Sequence, residues 1–64
     1  MEAIILSEMT LNNMANYPDF WPTVMCYREL LSAACRKFGC KLEEARERYG
    51  RLTNAEWREL LNNK

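Results

Sequence analysis

The 64-residue chain contains no histidine, carries no net charge, and has only two glycines and two prolines. Without histidine it lacks the commonest general base, the Ser-His and Cys-His nucleophile pairs, and the mixed Cys/His zinc sites. The scarcity of glycine and proline leaves no linker-like segment. No apolar run approaches the roughly 18 residues that a membrane span needs. These absences argue against an enzyme, a cofactor site, a small-molecule substrate and a membrane protein.

The cysteines are also few, and their spacing is uninformative for metal binding. Cys26, Cys35 and Cys40 are an odd number of thiols, which does not suit a closed disulfide framework. Cys26 and Cys35 fall on opposite sides of one helix, at about 100° per residue. The three spacings match no zinc pattern. We therefore expect reduced, structural thiols in a cytoplasmic protein, and no metal.

What the chain does have is apolar material: 48% of its residues are hydrophobic, enough for one small core. A domain of this size buries only about 60% of its unfolded surface, so its stability is marginal. Residues 1–25 hold three acids and no base, whereas residues 26–64 hold nine bases and six acids. A neutral chain lacks the overall field that drives nonspecific nucleic-acid binding.

Residues 19–38 predict one long helix. Asp19 is a suitable N-cap, Pro22 would fall in the first turn, and Gly39 would follow the last turn in a left-handed conformation. Apolar residues at helical spacing predict a single buried stripe. The members of this stripe are Phe20, Val24, Tyr27, Leu31, Ala34 and Phe38.

Two further helices are predicted after Gly39. In residues 41–49 a thin apolar face is formed by Leu42, Ala45 and Tyr49. Residues 53–62 begin with Thr53-Asn54-Ala55-Glu56, which matches the capping box, and Leu52 with Trp57 matches the accompanying hydrophobic staple.

The N-terminal segment, residues 1–18, is the least defined. Ser7 or Thr10 is a possible cap for a short helix, which should end before Pro18 because proline disfavours helix in the preceding residue. The fold class predicted from these patterns is all-α: a small three-helix domain, with helices over 19–38, 41–49 and 53–62, plus a short N-terminal helical or irregular segment.

The helix over 19–38 has more apolar surface than a chain of this size should leave in water, which indicates self-association or protein binding. We predict a noncatalytic interaction or regulatory protein that forms a homodimer or binds a protein partner. Trp21 and Met25 would lie in the contact, with Arg28 and Arg36 at its rim. The alternative is a monomer in which the N-terminal segment and last helix cover both sides of this helix.

A helix-turn-helix DNA-binding regulator is the second hypothesis. The run from Leu31 to Gly50 reads as helix, glycine turn and helix. Four basic residues on or beside the second helix would contact DNA. They are Lys41, Arg46, Arg48 and Arg51. Against this, three glutamates, Glu43, Glu44 and Glu47, would face phosphate, and Arg48 stands where an aliphatic anchor is expected.

Over its whole length the chain resembles, in size and style, the short helical accessory proteins from the early regions of lambda-like phages. This resemblance has no diagnostic motif and assigns no functional residue. It implies a small cytosolic protein in an infected bacterium that binds a host or phage protein, or DNA, and does not catalyse a reaction.

Overall fold

The computed structural model describes residues 6–62, which form four helices and no strand. These are α1 (Glu8–Asn16), α2 (Val24–Phe38), α3 (Leu42–Tyr49) and α4 (Asn54–Asn62). Helices α1 and α4 pack on each other, and α2 packs on α1, α3 and α4. The all-α class is confirmed. The count of three helices is one too low, because the N-terminal segment takes the helical of its two predicted forms as α1. Residues 1–5 of that segment lie outside the described residues.

Helix α1 begins and ends where local sequence signals place it. Ser7 is the N-cap, and its hydroxyl accepts a hydrogen bond from the Thr10 N–H at 3.4 Å. The helix ends at Asn16, and Tyr17 then leaves the helical conformation directly before Pro18. Of the two caps considered, Ser7 is therefore correct, and the predicted stop before Pro18 is confirmed.

Helix α2 starts later than predicted. Its N-cap is Thr23, not Asp19, and the Thr23 hydroxyl accepts from the Cys26 N–H at 3.4 Å. Pro22 therefore precedes the helix. In a helix beginning at Asp19, the Phe20 carbonyl would accept from the Val24 N–H. It accepts instead from the Asn54 N–H of α4 at 2.8 Å, so a tertiary hydrogen bond replaces the helical one.

The buried face of α2 is also rotated from the predicted stripe. Leu31 and Ala34 are buried and Tyr27 is half-buried, but Phe20, Val24 and Phe38 are exposed. The face is broad because α2 contacts all three other helices. The buried residues of α2 are Cys26, Leu30, Leu31, Ala33 and Ala34.

Gly39 ends α2 as predicted. Its φ of 67° is left-handed, and its N–H donates to the Cys35 carbonyl at 2.9 Å. Two residues earlier, Lys37 reaches across to α4, where its Nζ donates to the Leu60 carbonyl at 3.1 Å and the Leu61 carbonyl at 2.7 Å. This cation satisfies carbonyls in the last turn of α4, which lack donors within their own helix.

Helix α3 is anchored by a single buried residue, Ala45. Tyr49 is half-buried, as part of the predicted face, but Leu42 is 58% exposed, contrary to that prediction. Leu42 is the first residue of the helix, and α3 packs mainly on α2.

Helix α4 has the predicted capping box. The Glu56 N–H donates to the Thr53 hydroxyl at 3.3 Å, and the Thr53 N–H donates to Glu56 Oε1 at 3.0 Å. Trp57 follows and is fully buried, while Leu52, Leu60 and Leu61 pack against the same core. The ring of Tyr49 meets Trp57 edge to face, with centroids 6.0 Å apart. The core residues come from all four helices: Met14, Leu30, Leu31, Ala34, Ala45 and Trp57.

A carboxylate fastens the start of α1 to α2. Glu29 accepts from the Ser7 N–H at 2.6 Å, from the Ser7 hydroxyl at 2.8 Å, and from the hydroxyl of Thr10, which is itself buried. These hydrogen bonds, Thr10's first, outweigh desolvation and hold the pKa of Glu29 below its ordinary value of 4.5.

Acid should therefore release this contact. Because the folded-state pKa of Glu29 is depressed, its stabilisation is present above pH 4.5 and is lost as pH falls through the lower folded value. We expect Glu29→Gln to lower the melting temperature at neutral pH, and the difference from wild type to shrink as pH falls below 4.5. Thermal melts at several pH values measure this. Glu59→Gln, at an exposed carboxylate, is the control; a pH-independent deficit in Glu29→Gln would contradict the assignment.

Candidate functional site

Four large apolar side chains stand exposed where the connection after α1 runs into α2. Phe20 is 63% exposed, Trp21 65%, Val24 77% and Met25 70%. We call these four residues the 20–25 patch. Single exposed apolar residues are common on soluble proteins, whereas contiguous large ones mark contact sites.

The backbone beneath the patch is tied to the start of α4. The Asn54 N–H donates to the Phe20 carbonyl at 2.8 Å, and the Ala55 N–H donates to the Pro18 carbonyl at 3.0 Å. The buried Asn54 side chain adds a third bond, from Nδ2 to the Tyr17 carbonyl at 2.8 Å. Three bonds thus hold residues 17–20 against one helix end.

These bonds also complete the N-terminus of α4. A helix leaves its first four N–H groups without helical partners. Here the capping box satisfies those of Thr53 and Glu56, and the 17–20 segment satisfies those of Asn54 and Ala55. Displacing the segment would strip two donors of their partners. The start of the patch is therefore a loop whose backbone is held in place by hydrogen bonds to α4.

The polar atom of Trp21 is already used within the chain. Its Nε1 donates to the Arg51 carbonyl at 3.3 Å, which orients the indole beside the α3–α4 turn. Phe20 is oriented by Tyr17, whose ring meets it edge to face with centroids 6.3 Å apart. Oriented rings lose less conformational freedom on binding than free ones, so this arrangement favours contact with a partner.

Three of the four predicted protein-binding residues are exposed and lie within one short stretch of the chain, residues 21–28. Trp21 and Met25 lie in the patch, and Arg28 follows Met25 by one helical turn on exposed α2 surface. Arg36 is exposed too, but it lies about 16 Å further along the helix than Met25, at 1.5 Å per residue. It is too distant to form a rim around the patch.

Phe20 and Val24 are patch residues that the helical periodicity wrongly assigned to the core. The error follows from starting the helix at Asp19. The signal that would have corrected it is Thr23, a second good N-cap that stands directly before an apolar helical run. With Thr23 as cap, Phe20 falls outside the helix and Val24 becomes its first residue.

The predicted DNA-binding residues are all exposed but do not form a uniformly basic surface. Lys41 is the N-cap of α3, Arg46 and Arg48 lie on α3, and Arg51 follows in the turn. Glu43, Glu44 and Glu47 are exposed on the same short helix. Three acids against two bases on α3 give it no positive surface of its own. Arg51 instead adjoins the 20–25 patch through its hydrogen bond with Trp21.

Nothing in the described part of the chain forms a metal site, since no three His, Cys, Asp or Glu side chains come together there. An open groove of about 580 Å³ lies between α1 and α4, and Arg58 and Glu59 are its charged lining residues. Both of these side chains are exposed.

No protein-family model, curated protein or solved structure matches the chain. What the protein does is therefore inferred from its own residues. Within residues 6–62, no helix has the length and apolar character needed to cross a membrane.

Proposed function

We propose that this is a noncatalytic regulatory protein that acts as a homodimer, with the 20–25 patch as the contact. The observation that carries the proposal is the exposure of four large apolar side chains, each more than 60% exposed, on backbone fixed by hydrogen bonds to α4. Burying such side chains against a partner is worth about 1.5–3 kcal/mol each before the costs of association.

A second copy is the proposed partner because the patch is flanked by one negative and one positive side chain, which could pair with the opposite charges of an identical chain. Asp19 precedes the patch along the chain and Arg28 follows it, and both are exposed. In a two-fold symmetric dimer, the same patch of each copy contacts the other copy, and the two patches run in opposite directions. The Asp19 of each copy then meets the Arg28 of the other. Because the chain has no net charge, electrostatic repulsion between two copies is small.

The proposed setting is the bacterial cytoplasm, in line with the resemblance to phage accessory proteins. All three cysteines are free, as the reducing conditions of that compartment favour. In this setting the protein acts by occupying surfaces of other molecules and not by catalysis.

Sedimentation equilibrium of the reduced protein, from about 1 μM to about 1 mM, tests the homodimer. We expect a concentration-dependent monomer–dimer equilibrium. A monomer at every concentration would overturn the proposal and would direct attention to a different protein as the partner.

Charge exchange tests the orientation of the two copies. Asp19→Lys and Arg28→Glu should each weaken the dimer by about threefold to tenfold, because each places like charges opposite one another. The double variant should restore most of the affinity, since the pair is re-formed with exchanged signs. Additive weakening in the double variant would contradict the proposed pairing of Asp19 with Arg28.

A helix-turn-helix DNA-binding regulator remains the second candidate. It is favoured by the simultaneous exposure of Lys41, Arg46, Arg48 and Arg51 after the Gly39 turn. Fluorescence-anisotropy titration with duplex DNA separates the two functions. Reversing the charges of Arg46 and Arg48 would abolish binding under the DNA hypothesis and leave the dimer intact under the preferred one.

A further inference from the structure

Two cysteines, Cys35 and Cys40, flank the left-handed end of α2. The Gly39 N–H bonds to the Cys35 carbonyl at 2.9 Å, four residues back, while Gly39 takes a φ of 67°. In helix ends of this type, the residue after the left-handed glycine folds back over the residue whose carbonyl is bonded. Here those two residues are Cys40 and Cys35.

Other observations agree with this placement. Cys35 and Cys40 are both half-buried and both pack against the core cluster. Burial first, and then Cys40, raise the pKa of the Cys35 thiol above its ordinary value. Cys26 is fully buried elsewhere on α2, and all three thiols are free.

We propose that Cys35 and Cys40 form a redox-active dithiol site, whose substrate is a small-molecule disulfide such as oxidised glutathione and whose product is an intramolecular disulfide. The site does not depend on the proposed dimer, because both sulfurs belong to one chain and lie at one helix end.

The reaction proceeds by two exchanges. The Cys40 thiolate attacks one sulfur of the small disulfide, forms a mixed disulfide and releases one small thiolate. The Cys35 thiolate then attacks the Cys40 sulfur and expels the second small thiolate. Two protein thiols are oxidised, one small disulfide is reduced to two thiols, and the two protons leave with those thiols. Cys35 acts second because its raised pKa makes it the poorer first nucleophile.

The bond would fasten the connection between α2 and α3. Cys40 lies two residues before α3, which has only Ala45 as a buried anchor. Closure would tie the entrance of α3 to the last turn of α2, whereas the reduced form holds it by packing alone.

Incubation of the folded protein with oxidised glutathione, followed by intact mass and tryptic mapping, tests the proposal. Trypsin cuts after Arg36 and Lys37, between the two cysteines, so closure is diagnosed by joined peptides 29–36 and 38–41. The expected product has lost two hydrogen atoms and retains Cys26 as an alkylatable thiol. A product linked through Cys26, or protein that stays fully reduced, would overturn the proposal.

Single variants assign the order of the steps. Cys35→Ser should stop at a mixed disulfide on Cys40, carrying one glutathionyl group, whereas Cys40→Ser should react at least about tenfold more slowly. Cys26→Ala is the matched control and should close as wild type does. The ratio of closed to mixed disulfide should also fall at least about tenfold in denaturant, because the folded helix end brings the sulfurs together. An unchanged ratio would mean that the fold contributes nothing to closure.

Discussion

Replacing Trp57 by alanine should leave most of the protein unfolded at room temperature. Trp57 is the largest fully buried side chain, and it lies in the one core to which all four helices contribute. Truncating a buried tryptophan to alanine typically costs about 3–5 kcal/mol. A single core in a chain this short rarely supplies more than about 3–5 kcal/mol in total. The substitution therefore removes nearly all of the available stability.

Far-UV circular dichroism and urea unfolding measure this effect. The matched control is Trp57→Phe, which keeps an aromatic ring against Tyr49 and removes an indole N–H that is buried with no hydrogen-bond partner among residues 6–62. The phenylalanine variant should stay folded and lose less stability than the alanine variant. The loss of buried volume is partly offset because the unpartnered indole N–H is removed as well. If the alanine variant kept the full helical signal and a wild-type midpoint, the assigned core would be wrong.

Removing the patch side chains should weaken the dimer by about a hundredfold or more while leaving the monomer folded. Truncations at the centre of a contact that carry most of the energy cost at least about 2 kcal/mol. Trp21 and Met25 are 65% and 70% exposed in the monomer, so Trp21→Ala with Met25→Ala leaves no core cavity. Within the monomer, the change deletes the exposed hydrogen bond from Trp21 to the Arg51 carbonyl.

The measurement is sedimentation equilibrium of the double variant beside the wild type, with thermal melts of the dilute monomers. Leu42→Ala is the matched control, because it removes an exposed apolar side chain from α3, outside the patch. It should leave the dimer unchanged. Equal weakening by Leu42→Ala and the double variant would mean that general surface hydrophobicity, and not the 20–25 patch, drives association.

The same patch shows why the start of α2 was mispredicted. Asp19 and Thr23 are both good N-caps, and Pro22 is compatible with a helix that begins before it. Local sequence thus leaves two acceptable starts. The choice is made by α4, since the Asn54 and Ala55 N–H groups take the carbonyls of Phe20 and Pro18 as their partners. These residues are more than thirty positions apart in the chain, so no local pattern reports their pairing.

By itself the sequence determined the helix starts and ends whose hydrogen-bond partners lie close together along the chain. The Ser7 cap, the Gly39 end of α2 and the capping box of Thr53 with Glu56 were readable, because each donor and acceptor lies within four residues of its partner. The all-α class followed from the same signals. Surplus apolar surface predicted contact residues at Trp21 and Met25, which are both exposed, although Trp21 lies before α2 and not within one long helix.

Only the tertiary structure decided which apolar residues are covered. Phe20, Val24 and Leu42 follow helical periodicity yet remain exposed, because periodicity identifies a face but not the helix that packs on it. The same packing separated Arg36 from the patch and placed Arg51 beside Trp21. Burial depends on the relative positions of whole helices. Those positions are fixed by long-range contacts such as Asn54 with Tyr17 and Lys37 with Leu61, whose partners are far apart in the chain.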